Sequence, residues 1–400
     1  MNIPPERVIA YFQPVFSAAS KSVYSYEILG RFIDDDGNVQ SLGTFFNDSN
    51  TTNEEALQVD RIVRKYAMRK YAEEKRSEYL FINIRLAWLT QYTDNPSEIL
   101  TLQWAKEFGI SPDKLVIEIT EEDFNTSDEY LNAITYYKNV GSRIALDDCG
   151  KNASNIDRLA KLQPDIIKIN MDYIHSCENS YHYREYLRTT ADFADSVGIE
   201  VLYEGVETQR QLDICMSLNG RYYQGFLIAR PQSSMRDAVI NDAVFSASIE
   251  NAYMALQDKI IKTAAMRKFL DAQVERFLAE NPFDVGEMNY DAYLEKLCRK
   301  LPDARLVYVL NRRGEQLAYS VGLQHINAVA SAGAFERADA YQNKNWAWRR
   351  YFYDALKFAA TNQKSCLSSN YYDFATKDRV RTYSYAISDD AFLFVDIDEI

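Results

Sequence analysis

Histidine is scarce in this sequence: only His175, His182 and His325 are present. Three histidines exclude a His-rich metal centre and leave little material for a Ser-His-Asp site. The five cysteines, Cys149, Cys177, Cys215, Cys298 and Cys366, are odd in number and no two have CxxC spacing. A disulfide framework and a zinc site are thereby excluded, and a reducing compartment is expected. No run of about 18 apolar residues exists, so no membrane span is expected. The first 14 residues lack an apolar signal core, and the reading is a cytoplasmic protein. Basic charge is also deficient: Lys and Arg total 45 against 58 Asp and Glu, a net charge of −13. That balance argues against binding polymeric nucleic acid. An anionic substrate would need local cations or metal ions.

Apolar and aromatic residues are plentiful. At 47% and 13% of 400 residues they exclude a disordered chain and supply two or three domains. Up to about residue 235, short apolar runs alternate with amphipathic stretches. Strands are expected at 23–29, 79–84, 115–119, 143–146, 166–169, 200–203 and 225–228, and helices at 54–76, 127–140, 156–162 and 183–197. Repeated β-then-α over this length predicts an α/β fold, a TIM-type (β/α)8 barrel, in preference to a doubly wound sheet. From Gln232 to Asn281 there is neither Gly nor Pro. Ile249, Tyr253, Leu256 and Ile260, then Leu270, Val274 and Phe277, make a heptad-like seam broken at Thr263 and Arg267. The seam predicts a long connecting helix. Beyond it, a helix at 291–300 and hairpins around Asn311–Gly314 and Ser388–Asp390 predict a smaller α+β domain of PAS or Cache type. The expected divisions are residues 1–245, 246–282 and 283–400.

The barrel-like region carries a polar residue in or beside almost every strand: Glu27, Asn83, Glu118, Asp147 with Asp148, Lys168, Glu204 and Gln224. One such residue is commonplace. Seven in succession are costly to bury unless paired or metal-bound. In a TIM barrel the C-terminal strand ends meet at one mouth, where chemistry is done. An oxygen-rich set with one Asn suits Mg²⁺ or Mn²⁺. Adjacent aspartates let one carboxylate bridge two ions, and two ions ~3.5–4 Å apart are a common device for displacement at phosphate. Lys168 suits a water or phosphoryl oxygen. The residues alone read as a metal-dependent phosphoester hydrolase.

Taken in order, these motifs resemble the EAL family of cyclic di-GMP phosphodiesterases. Tyr11–Val15, Glu27-Ile28-Leu29-Gly30-Arg31, Phe81–Ile84, Glu118-Ile119-Thr120-Glu121, Ala145–Gly150, Asp165–Asn170, Glu204–Thr208, and Gln224–Phe226 with Arg230-Pro231 carry the resemblance, over residues 8–235. It implies two metal ions, Mg²⁺ or Mn²⁺. Glu27, Asn83, Glu118 and Asp147 would hold the first, and Asp147, Asp148 and Glu204 the second. Lys168 and Glu204 would place or deprotonate water, and Glu121 would brace the loop after Asp148. Gln13, Leu29, Arg31, Glu207 and Gln224 would line the dinucleotide groove, and linear pGpG would be the product. The family also implies a homodimer.

The sequence departs from the family pattern at Ile28, Cys149, Asn170 and Tyr203, and in the loop Lys151–Asn155. The loop motivates the alternative of a slow or inactive barrel acting as a cyclic di-GMP receptor; an interaction scaffold is the third reading. The C-terminal part, with Asn345–Phe352 and Arg379–Tyr385, resembles the PAS/Cache-like domain that follows the EAL domain in YkuI-type proteins. The cluster Trp346, Trp348, Arg349, Arg350 and Tyr351 reads as core packing or as a small-ligand pocket, with Arg349, Arg350 or Arg381 to hold an anion. His325 alone is read as a surface residue.

Overall fold

The computed structural model describes residues 3–85, 88, 98–120, 128–149, 155–235, 242–283, 289–301, 303–318, 320–323, 335–338, 344–373 and 377–398. The chain divides into two compact units, Met1–Leu256 and Gln257–Ile400.

The first unit is a closed barrel. Strands β1 (Val8–Ser17), β2 (Ser22–Ile33), β3 (Val39–Ser41), β4 (Tyr79–Asn83), β5 (Leu115–Thr120), β6 (Arg143–Cys149), β7 (Ile166–Ile169), β8 (Glu200–Tyr203) and β9 (Tyr222–Tyr223) run in the order β1-β9-β8-β7-β6-β5-β4-β2, with β3 outside β2. Pairing of β1 with β2 closes the ring. β1 lies antiparallel to both neighbours, and the pairs from β2–β4 through β8–β9 are parallel. Helices α1 (Gly43–Phe46), α2 (Asn53–Glu73), α3 (Leu100–Phe108), α4 (Asp128–Asn139), α5 (Asn155–Leu162), α6 (Met171–Cys177), α7 (Tyr181–Ser196) and α8 (Gln209–Ser217) fall between the strands.

Side chains alternate across a strand, so each barrel strand shows one face to the helices and one to the interior. Leu80, Ile82, Leu115, Ile117, Ile144 and Ile167 belong to the large core under the helices. The inward set Val15, Phe81, Val116, Ala145, Ile166, Leu202 and Tyr222 forms a separate buried layer. Two positions further toward the mouth on those strands stand Gln13, Asn83, Glu118, Asp147, Lys168, Glu204 and Gln224. The period of two thus stacks a polar layer on an apolar one.

Two expected strands are corrected. Residues 225–228 are a turn; the last barrel strand is Tyr222–Tyr223. Gly225 has φ +155°, and a Cβ there would come within 2.1 Å of the Val206 carbonyl oxygen, so the backbone leaves the sheet. The strand expected at 316–320, the second arm of the Asn311–Gly314 hairpin, is described as Ser320–Leu323; Gln316 makes an isolated bridge to Leu310.

A 39-residue helix, α9 (Asp242–Glu280), spans the division between the units. Its expected seam splits. Phe245 and Ser248 are buried in the barrel unit, and Phe245 stacks on Phe16. Tyr253, Leu256 and Ile260 are more than half exposed, at 53%, 57% and 59%. Leu270, Val274 and Phe277 are buried in the core of the second unit.

The second unit adds α10 (Tyr290–Cys298), β10 (Ala304–Asn311), β11 (Ser320–Leu323), β12 (Phe335–Ala338), α11 (Arg350–Ala360), β13 (Ser365–Leu367), β14 (Tyr371–Tyr372), β15 (Arg379–Ala386) and β16 (Ala391–Asp398). The sheet order is β12-β11-β10-β16-β15-β13, with β14 on β15. Tyr383 and Tyr385 on β15 reach Asp271 Oδ1 (2.7 Å) and Glu275 Oε1 (3.2 Å) of α9. On the sheet's other face Tyr308, Leu310, Phe392 and Phe394 pack with Tyr351, Phe352 and Ala355 of α11.

One charge lies within this second core. Burial pushes the Asp396 carboxyl up to about 7, against the hydrogen bond from Thr382 that lowers it. A folded pKa raised above the unfolded one contributes stability that is full below about pH 4 and is lost as pH rises to about 7. Asp396→Asn should abolish that loss. Relative to the variant, the wild type should weaken by about 3–4 kcal/mol between pH 4 and 7.5. Parallel urea titrations of the two proteins across that range are the check; parallel curves would refute the assignment.

Candidate active site

The polar layer converges on Lys168. This residue is 1% exposed, and its Nζ lies 3.6 Å from Glu27 Oε1, 3.5 Å from Asp147 Oδ1 and 2.5 Å from Glu204 Oε1, and in closer contact with Glu118 Oε1. Four strands and the turn after a fifth therefore bring four carboxylates to one ammonium. Burial alone would lower the lysine's pKa, but Glu204 and Glu27 outweigh it and raise it. Burial, then Glu204, Glu27 and Asp148, hold the Asp147 carboxyl well above its ordinary value. Glu204 is likewise raised, by burial against the pull of Lys168. Asp147 and Glu204 are thus short of positive charge.

Glutamine and asparagine amides tie the rim. Gln224 Nε2 donates to Glu27 Oε2 (2.7 Å) and Asn83 Nδ2 to Glu27 Oε1 (3.3 Å). Gln13 Nε2 donates to the Ala229 carbonyl (3.2 Å). Asp147 and Asp148 are neighbours, and strict alternation would send them to opposite faces. A register shift in β6 against β7 falls at this point, and Asp148 takes φ +55°. Its side chain consequently joins the lining of the cleft. Asp148 N–H donates to Asp147 Oδ1 (2.7 Å), and the Asn170 amide donates to Asp148 Oδ1.

Above this layer opens a cleft of about 570 Å³, lined by Leu29, Arg31, Asn83, Glu118 and Asp148 among others. Arg31 lies over the Tyr11 ring, 5.7 Å from its centroid. Glu207 is not among the lining side chains; its Oε2 is 4.0 Å from His175 Nε2. Glu121, His325 and residues 151–154 lie outside the described residues.

The sequence reading passed over a second charged element of the cleft. Asp60 and Arg64 on α2 both line it, are buried, and pair through Arg64 Nε and Asp60 Oδ2 at 2.7 Å. Arg64 Nη1 also donates to Thr101 Oγ1 (2.5 Å). The available signal was their spacing of four on the same helix face as Val59, Val63 and Ala67, where charge is out of place.

The donor set fits divalent cations. Glu27, Glu118 and Glu204 offer carboxylate oxygens within 4.8 Å of one another. Both Glu118 oxygens are buried without a hydrogen bond, though Lys168 lies against one of them. One ammonium facing four carboxylates leaves a deficit that hard, oxygen-seeking cations answer.

Comparison with known families agrees with this geometry. Residues 3–231 match the EAL domain. The chain belongs to the EAL family. Residues 247–399 match a second family, the EAL-domain associated signalling protein domain. YkuI of Bacillus subtilis, an uncharacterized EAL-domain containing protein, is 30% identical over 396 residues, 98% of this chain and 94% of its own. The YkuI crystal structure, in complex with substrate c-di-GMP and calcium, superposes with TM-score 0.88 at 27% identity, covering 99% of this chain and 97% of that one. The probable cyclic di-GMP phosphodiesterase PdeA of Escherichia coli is 37% identical over 128 residues, 32% of this chain and 18% of its own length. A calcium/cy-diGMP complex of Klebsiella pneumoniae BlrP1 has TM-score 0.51 at 25% identity, over 58% of each chain. Among the described residues no helix is long and apolar enough to cross a membrane.

Proposed function

We propose that this EAL barrel hydrolyses cyclic di-GMP to linear pGpG and that the C-terminal unit tunes the rate. The observation that carries the reading is the cluster of four carboxylates around Lys168 at the barrel mouth, below a cleft lined by Arg31. Glu27, Asn83, Glu118 and Asp147 would hold one divalent ion, Mg²⁺ or Mn²⁺, and Asp147, Asp148 and Glu204 a second. Bound there, the ions would activate water and neutralise charge building on the phosphate.

The chain's own groups would do the rest. The Arg31 guanidinium can give two parallel hydrogen bonds to a phosphate and fix one end of the dinucleotide. Lys168 Nζ would hold the attacking water and a phosphoryl oxygen. The water's proton would pass to Glu204, and the new P–O bond would form as the P–O3′ bond breaks. The departing 3′ oxygen would take up a proton, leaving a 5′-phosphate on the linear product.

The test is incubation with cyclic di-GMP in Mg²⁺ and in Mn²⁺, followed by nucleotide chromatography. Linear pGpG is expected; intact substrate after long incubation would overturn hydrolysis. Arg31→Ala should raise KM about 10-fold with kcat changed far less, since a phosphate contact made in ground and transition states alike is uniform binding. A kcat loss at unchanged KM would remove Arg31 from that role.

The receptor reading has one observation in its favour. Asn170, where the family usually carries Asp, ties up an Asp148 oxygen with its amide. If that bond persists with metal present, Asp148 is a poorer ligand. Tight cyclic di-GMP binding without product, converted to turnover by Asn170→Asp, would establish it. A homodimer, which the family implies, is checked by sedimentation.

A further inference from the structure

The second unit has a recess of its own, lined by Leu306, Tyr308, Gln316, Trp346, Arg349, Tyr351, Tyr371, Asp373 and Asp396. Its free space is about 20 Å³, enough for one group the size of water or ammonium. It is therefore a socket for a head group, with the remainder of any ligand left toward the opening.

The socket's chemistry selects the charge of that group. Asp396 is 6% exposed. Its Oδ1 accepts hydrogen bonds from Thr382 Oγ1 (2.7 Å), Tyr371 Oη (3.4 Å) and Tyr308 Oη (3.5 Å), all hydroxyls. A buried carboxylate whose described hydrogen bonds all come from hydroxyls is only partly compensated for the loss of water. Tyr308, Tyr351, Tyr371 and Trp346 supply aromatic walls. The Trp346 indole is fixed by donating Nε1–H to Gln316 Oε1 (2.8 Å). Ring faces attract cations, most of all where water is excluded. The socket already shows this preference, because the Arg349 guanidinium lies 4.9 Å from the Tyr371 centroid and 5.4 Å from that of Tyr351. Two carboxyl groups, Asp373 and Asp396, face one guanidinium, Arg349, in the lining.

We propose that this recess binds the ammonium group of a small organic amine, with Asp396 accepting its hydrogen bonds and the aromatic side chains enclosing it. Two sources share that chemistry: simple alkylamines, and free amino acids, whose carboxylate would lie toward Arg349. The reading departs from both sequence-based alternatives for this cluster, core packing and an anion pocket. It does not depend on the barrel's activity.

The test is thermal unfolding of the full chain at fixed pH and ionic strength with 10 mM methylammonium, ethanolammonium, glycine, L-alanine or sodium acetate. An upward shift of at least 2 °C with ammonium compounds, and none with acetate, is expected. Shifts with amines and amino acids alike would mean the ammonium suffices; shifts with amino acids alone would add Arg349 to the site. Asp396→Asn should erase the shift. Tyr371→Leu should weaken binding at least fivefold by calorimetry and serves if the first variant folds poorly. No shift with any ammonium compound, or an equal shift in Asp396→Asn, would overturn the proposal and leave the recess as a water site.

Discussion

Asp147→Asn should reduce the rate of linear pGpG formation by at least about 10³-fold, while the barrel stays folded. The rate claim rests on position. Asp147 belongs to the polar layer, 3.5 Å from Lys168 Nζ, and its Oδ1 also accepts the Asp148 backbone N–H. It is the one carboxylate common to the two ligand sets proposed above. Removing a group aimed at the charge of a transition state commonly costs 10²–10³ in kcat, and losing a bridging ligand should exceed that. The folding claim rests on electrostatics. Burial and the charges of Glu204, Glu27 and Asp148 keep this carboxyl above its ordinary pKa, so the charge is a burden in the absence of metal. A neutral isostere should relieve it, and the melting temperature in chelator should hold steady or rise. Chromatography of the nucleotides and a melt in chelator are the two readings. Wild-type turnover in this variant would remove Asp147 from the chemistry. Collapse of the fold would contradict the charge account instead.

Lys168→Met should do the reverse and damage the metal-free fold as well as turnover. Lys168 is the only ammonium in contact with Glu27, Glu118, Asp147 and Glu204 among the described residues. Removing one partner of a buried ion pair costs roughly 3–5 kcal/mol. For a unit of this size that is on the order of 10 °C in melting temperature. The deficit should grow with pH. Asp147 and Glu204 have folded pKa values raised above their unfolded ones, so the stability held in their protonated forms is present at low pH and is lost as pH rises through those values. A melt at pH 6 should therefore show a smaller gap between variant and wild type than a melt at pH 8. Added Ca²⁺ or Mg²⁺ should restore much of the loss, by binding the folded state alone. Turnover with metal should still fall about 10²–10⁴-fold if Lys168 handles the attacking water. Melts that coincide with wild type in chelator would show that the carboxylates are neutralised by protons and do not need the lysine.

Together the two variants separate roles that a single loss of activity would blur. Asp147 is expected to matter to chemistry and to be a liability to the empty fold. Lys168 is expected to matter to both.

Much of the barrel was legible because its signals are local. Strands at 115–120, 166–169 and 200–203 read as short apolar runs because both faces are covered, one by helices and one by the interior layer. The site residues were legible for the same reason: a Glu, Asp or Lys inside such a run violates the pattern that the run sets. Asp60 and Arg64 were missed because α2 is rich in charge along its whole length, so two more charged residues at helical spacing look ordinary. The end of the ring was misplaced because Gly225 reads as part of an apolar run. Its departure from the sheet depends on a close approach to Val206, 19 residues away in sequence (225 − 206 = 19).

Periodicity alone thus determined that this chain builds an α/β barrel with a polar mouth, and the ordered motifs placed it in a family. Which polar groups touch was decided by closure of the ring. Glu27 and Lys168 are 141 residues apart in sequence (168 − 27 = 141), and only the curvature of eight strands brings them within 3.6 Å. The same holds for α9, whose apolar seam resumes in one register after Thr263 and Arg267 while its burial does not follow it. Leu270, Val274 and Phe277 enter a core, and among the described residues Leu256 and Ile260 of the same seam are more than half exposed. Spacing records which residues share a helix face. What covers that face is a property of the surrounding fold.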